Sequence, residues 1–199
     1  AKAGQFDKAL NVAGSISRDD DKASALIDIV VELAEAGRFD KAFNVAGSIS
    51  DDFYKAQALR YIASELAKAG QFDKALSVAG FIYDNYYKAW ALKDIAVELA
   101  KTGQTQKALQ IFDKAVNAVW SISDYSEKAD TLSNIASELA KAGQFDKAVT
   151  VARSIYYDFL KAQEFSESAS ELAKAVYSNR VVNLINKKIG PYFTAYILI

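Results

Sequence analysis

The sequence predicts an all-α fold, a solenoid of antiparallel helix pairs, and three observations carry that prediction. The segment Ala-Lys-Ala-Gly-Gln-Phe-Asp-Lys-Ala of residues 1–9 returns, whole or slightly edited, from Ala34, Ala67, Ala100, Ala140 and Ala173. These starts lie 33, 33, 33, 40 and 33 residues apart, a period at which each copy is one supersecondary element that needs stacked neighbours to bury its apolar face. Within each copy, apolar residues keep the three-and-four spacing of a helix, and a lone glycine divides them in two.

Residues 22–49 illustrate the unit. Leu26, Ile29, Val30 and Leu33 form the apolar stripe of a first helix. Gly37 supplies the left-handed residue that ends it without a Cβ penalty. Asp40 then sits in the first turn of a second helix, where the helix dipole favours a carboxylate. That helix carries Phe39, Ala42, Phe43, Val45, Ala46 and Ile49 before Ser50-Asp51-Asp52 release the chain into the next first helix. Such short connections force antiparallel packing. Alanine recurs at 23, 56, 89, 129 and 162 in the first helix and at 9, 42, 75, 108 and 148 in the second, where a larger residue would hold helices apart. Phe6, Phe39, Phe72 and Phe145 follow the turn glycine by two residues and read as plugs between helices.

The Gly-x-Phe-x-x-Ala pattern of Gly37-Arg38-Phe39-Asp40-Lys41-Ala42, returning at Gly70/Phe72/Ala75 and Gly143/Phe145/Ala148, resembles the tetratricopeptide repeat family. The resemblance covers nearly all of residues 1–188 and implies a right-handed α-solenoid of about eleven helices that binds peptides in a concave groove. Three departures stand out. The unit is one residue short of the family length, no proline separates units, and the first-helix aromatic positions hold Leu26, Leu59, Leu92 and Leu132. Ankyrin repeats share the 33-residue length, but neither their Thr-Pro-Leu-His signature nor a β-turn segment is present.

The 40-residue interval places seven extra residues within 110–120. Ala108, Phe112, Ala115, Val116, Val119 and Ile122 keep helical spacing there, which predicts a lengthened second helix over about 105–121, two turns longer and with its apolar face unrotated. At the carboxyl end the repeat degrades, with Val176, Ser178 and Val181 at the glycine, aromatic and alanine positions. The array is therefore read as 1–188, with a partial first unit, and residues 189–199 as an apolar tail. After Gly190-Pro191 the tail holds Tyr192, Phe193, Tyr196, Ile197, Leu198 and Ile199. It is expected to cap the last helix pair, with contact between protein copies as the competing reading.

Composition excludes several function classes. The chain has no His and no Cys, which removes the usual zinc ligand sets, the Cys–His and Ser–His–Asp nucleophiles and any disulfide framework. It has no glycine-rich phosphate loop. A net charge of −1 gives no electrostatic footprint for nucleic acid or an anionic membrane. The expectation is a non-enzyme without cofactor or metal, cytoplasmic, with a protein or peptide as partner. Because the chain lacks Met and starts inside a copy, a longer parent protein is expected. The once-per-repeat acids Glu32, Glu65, Glu98, Glu138 and Glu171 read as a solvated face rather than a cation ladder; four have Lys at i+3 (Lys68, Lys101, Lys141, Lys174).

The copies differ most in three first-helix columns: Ser24, Gln57, Trp90, Asp130 and Gln163; Ile27, Arg60, Lys93, Ser133 and Ser166; Val31, Ser64, Val97, Ser137 and Ser170. Their three-and-four spacing makes them one helix face, which the family resemblance equates with the concave groove. Gln57, Arg60, Trp90 and Lys93 would occupy its middle, with Lys68 and Lys101 lower down and Asp130 further along. An aromatic beside Arg is the composition of a binding hot spot. The other reading is that Trp90 packs onto a neighbouring helix. A carboxyl-terminal peptide clamp of the family type is doubtful, since Asn134 alone occupies the Asn column, where other copies have Asp28, Tyr61, Asp94 and Glu167.

A second candidate surface is the edge between units, carrying Phe53/Tyr54, Tyr83/Tyr86/Tyr87, Tyr125 and Tyr156/Tyr157/Phe159 among Asp51, Asp84, Asp124 and Asp158. It reads first as staples fixing each helix entry and second as a partner surface. The alternative to peptide binding for the whole chain is a structural segment that self-assembles into a homo-oligomer through repeat ends.

Overall fold

A computed structural model describes residues 5–163. The described residues form nine helices and no strand: α1 (Phe6–Gly14), α2 (Asp19–Glu35), α3 (Phe39–Gly47), α4 (Asp52–Lys68), α5 (Phe72–Gly80), α6 (Asn85–Lys101), α7 (Thr105–Trp120), α8 (Tyr125–Lys141) and α9 (Phe145–Gln163). The expectations for the degraded last repeat, for Glu171 and Lys174, for Ser166 and Ser170, and for the 189–199 tail lie outside the described residues. The chain divides into two compact units, Ala1–Ile111 and Phe112–Ile199, with the division inside α7.

The turn glycines have the expected backbone. Gly37, Gly70, Gly103 and Gly143 have φ of 71°, 72°, 78° and 76°. Past each one the next amide reaches back to the helix: Arg38 N–H donates to the Leu33 carbonyl at 2.8 Å, and Gln71 N–H to that of Leu66 at 2.8 Å. These are the six-to-one bonds of a Schellman ending, which need a left-handed residue between them. A Cβ on Gly37 would meet nothing within 4 Å, so the demand for glycine is conformational and not steric.

In the first unit, α2 packs on α4 and α4 on α6, so first helices form a continuous layer. The second helices α3 and α5 lie against the first helices on either side of them but have no comparable packing with each other. Ala42 and Ala75 are fully buried at these contacts, and Ala23, Ala56 and Ala89 are buried in the first helices. The core is completed by Val30, Leu33, Ile49, Ile62, Leu66, Ile82, Ile95 and Leu99, all under 2% or at 2% exposed. In the second unit α8 packs on α9 around Leu132, Ile135, Leu139, Ala148 and Ile155.

A terminal glycine marks the short second helices. Helices α1, α3 and α5 are each 9 residues long and each ends on its ninth residue, a glycine: Gly14, Gly47 and Gly80. In α7 the ninth residue is Asp113 and in α9 it is Arg153, and these helices run on to 16 and 19 residues. Glycine weakens helix propagation relative to other residues, and with Arg153 in its place α9 runs on; α7 is longer because seven residues precede its Phe112-Asp113-Lys114-Ala115 copy of the motif, and it ends at Trp120, where α3 has Gly47. The predicted long helix over 105–121 is thus present as α7. Asp158, grouped with Asp51, Asp84 and Asp124 as marking a helix entry, instead lies within α9, which passes through this segment uninterrupted.

Candidate functional site

Of the helices that carry the varied columns, α4, α6 and α8 are started by carboxylates. Asp51 caps α4 by accepting from the amides of Phe53 at 2.9 Å and Tyr54 at 3.1 Å. Asp84 caps α6 through Tyr87 N–H at 2.9 Å, and Asp124 caps α8 through Glu127 N–H at 2.8 Å. Each satisfies an amide that the first turn leaves without a partner.

These caps set α4 and α6 side by side with Arg60, Trp90 and Lys93 in one cluster. The Arg60 guanidinium lies 5.3 Å from the Trp90 ring centroid, and Lys93 Nζ lies 4.1 Å from it. Both cations converge on Asp94: Lys93 Nζ is 2.9 Å from Oδ1, and Arg60 Nη2 is 3.4 Å from Oδ2. Ser64 Oγ donates to the same Oδ2 at 2.5 Å. The varied face is therefore also the seam between consecutive first helices, and Asp94 is its hub. Two buried donors, Arg60 Nε and Trp90 Nε1, have no acceptor among the described residues. Such groups are uncommon in packed proteins, since an unmet buried donor costs about 1–3 kcal/mol.

The other predicted residues stand differently. Gln57 is half-buried one turn before Arg60. Lys68 and Lys101 are exposed and each binds the glutamate three residues back, at 2.5 Å to Glu65 and 2.7 Å to Glu98. Hydrogen bonding to Glu65 raises the Lys68 pKa above its ordinary value. Lys141 and Glu138 repeat the pair at 2.6 Å. Asp130 belongs to the second unit, exposed on α8, and its backbone carbonyl accepts from Asn134 Nδ2 at 2.8 Å. The amide that a peptide clamp would need is thus engaged by its own helix.

Sequence reasoning passed over Asp94, because its column was inspected for asparagine. It also separated the aromatic edge from the groove, whereas the two are continuous. Phe53 meets Tyr54 at 5.6 Å and Tyr87 at 5.3 Å, Tyr87 meets Tyr86 at 5.3 Å, and Tyr86 lies 6.1 Å from Trp90. Burial pushes the Tyr87 phenol up to about 12 from 10.0. In the second unit Tyr125 is likewise pushed up to about 12 by burial, with its hydroxyl 3.3 Å from the Ile155 carbonyl. There Lys128 lies 5.9 Å from the Trp120 ring and 3.7 Å from Asp158. Among the described residues no group of acids is placed to hold a metal ion, and no helix is long and apolar enough to cross a membrane.

No protein-family model matches the chain, and no curated protein matches it. Among solved structures, the chain is similar to the crystal structure of Ton1535 from Thermococcus onnurineus NA1, with a TM-score of 0.53 and 23% sequence identity over 81% of this chain. The match takes in 46% of that protein, so this chain spans under half its length. The likeness is one of fold.

Proposed function

We propose that this protein is a non-catalytic, tetratricopeptide-like interaction module whose α4–α6 seam takes an acidic peptide segment. The observation that carries the reading is the pair of unmet donors, Arg60 Nε and Trp90 Nε1, set beside two cations that share a single carboxylate. Arg60, Lys93 and Asp94 sum to one net positive charge, with side chains 26%, 12% and 22% exposed. A ligand carboxylate would compete with Asp94 for the cations, the shift of Arg60 and Trp90 would bring their buried donors to peptide carbonyls, and the indole face would hold the adjoining apolar atoms. Absence of His and Cys from the chain supports a role in binding rather than catalysis.

The test is titration of a labelled glutamate-rich helical peptide followed by fluorescence anisotropy, a readout that does not depend on the protein's own indoles. Arg60→Ala or Trp90→Ala is expected to cost about 2 kcal/mol of binding. Equal affinity for wild type and both variants, with folding intact by circular dichroism, would remove this face as the site.

A further inference from the structure

Away from the α4–α6 seam, on the second-helix layer, a groove of about 380 Å³ runs between α3 and α5, with Ile62 and Leu66 of α4 at its floor and Phe43 and Phe81 on its walls. The two phenylalanines are the informative residues. The position of Phe43 holds Leu10 in α1 and Leu76 in α5, and that of Phe81 holds Ser15 and Ser48 after α1 and α3. Two separate departures from the repeat therefore meet in one place, edge to face at 5.6 Å. Phe81 remains 56% exposed there.

The charges at this groove are also arranged differently. Between α1 and α3, Lys41 Nζ reaches across to Asp7 Oδ1 at 2.7 Å, and between α7 and α9 Lys147 reaches Asp113 at 2.7 Å. Both pairs are 34 residues apart. Lys74 and Asp40 have the same offset, yet among the described residues they form no ion pair within 4.0 Å, and both line the groove. Asp73 lines the groove with them. The groove thus combines aromatic walls with unbridged charges that sum to −1, whereas the α1–α3 and α7–α9 contacts are bridged.

We propose that the α3–α5 groove is a second docking site, independent of the α4–α6 seam, for one face of an amphipathic partner helix whose apolar side chains rest on Phe43 and Phe81 and whose Lys or Arg reaches Asp40 and Asp73. The charge balance sets the choice of a basic partner, and the groove's apolar floor and separated walls fit a helix laid in a cleft.

The probe is a labelled synthetic helix with leucines on one face and a lysine at one end of that face, read by fluorescence anisotropy, with a version carrying glutamate for the lysine as control. The double variant Phe43→Leu/Phe81→Ser restores residues that the chain already uses at these positions, so it is expected to fold. It should weaken the lysine peptide about tenfold, Asp40→Asn should weaken it several-fold, and Arg60→Ala should leave it unchanged. Equal binding of the glutamate peptide, no binding at millimolar peptide, or undiminished binding by the double variant would overturn the proposal. A dimer of the wild type that the double variant turns into monomer would assign the groove to a second copy instead, and so would overturn it too.

Discussion

The two layers of the first unit are made from the same helix pairs, yet neighbours are joined by different means. First helices α4 and α6 touch directly, and their seam joins Ser64 and Asp94 to three side chains that no other copy has at these positions, Arg60, Trp90 and Lys93. Second helices α3 and α5 are nearly identical in sequence and stand apart, each fixed by a small residue against the first-helix layer. Repetition therefore specifies the scaffold through alanine and glycine, and individuality enters where one first helix meets the next. A substitution at the alanine contacts of the second layer should read out as stability alone, whereas one in the seam should move stability and binding together.

The largest expected effect breaks the second layer. Ala75 is fully buried against the first helices, and Ala75→Leu should cost about 2–3 kcal/mol in urea unfolding through overpacking. Ala9→Leu, at the same repeat position but half-buried, should cost well under half of that.

Asp94→Asn sharpens the contrast because its two effects have opposite signs. Loss of the shared carboxylate should lower stability by about 1–2 kcal/mol. The same change frees Arg60 and Lys93, so affinity for the acidic peptide should rise. If affinity falls with stability, Asp94 is part of the ligand site and not its internal competitor.

The caps give a smaller step. Asp51→Ala should cost about 1 kcal/mol of thermal stability. Arg18, at the equivalent position before α2, makes no side-chain cap hydrogen bond, and Arg18→Ala should leave the melting temperature near its starting value.

The smallest effect is one of pH. Burial raises the Tyr87 and Tyr125 phenols from 10.0 to about 12, so the folded state keeps protons that the unfolded chain releases. Their contribution is fully present below pH 10 and is lost as pH rises from 10 towards about 12. Tyr87→Phe should flatten the alkaline decline of melting temperature, and tyrosinate absorbance should show one fewer late-titrating group.

Much of this was legible from spacing alone. Turn glycines, alanine columns and the long α7 were readable because each is set by local backbone geometry repeated at a fixed interval. The uninterrupted α9 was not, since Ser154-Ile155 and Asp158 matched the helix entries of earlier units while Arg153, in place of the terminal glycine, lay just upstream. At the seam, the anchors Arg60, Trp90 and Lys93 stood out by their variation, but their engagement with Asp94 did not. That contact joins residues 34 apart on different helices, an offset invisible to a search along one helix face. The Phe43–Phe81 pair was hidden for the same reason, as two unremarked departures in different copies.

The seven-residue lengthening of α7 bears on how such a chain tolerates insertions and deletions. Asp7 is the second residue of α1 and Asp113 the ninth of α7, yet both accept a lysine from the helix that follows in its layer, 34 residues on. Seven residues turn an α-helix through nearly two whole revolutions, within about 20°, so the carboxylate is carried along α7 without leaving its face. An indel of seven keeps a helix's lateral face pointing the same way. One of five would swing Asp113 to the far side and strand Lys147, so length variants of this architecture are expected in steps of seven.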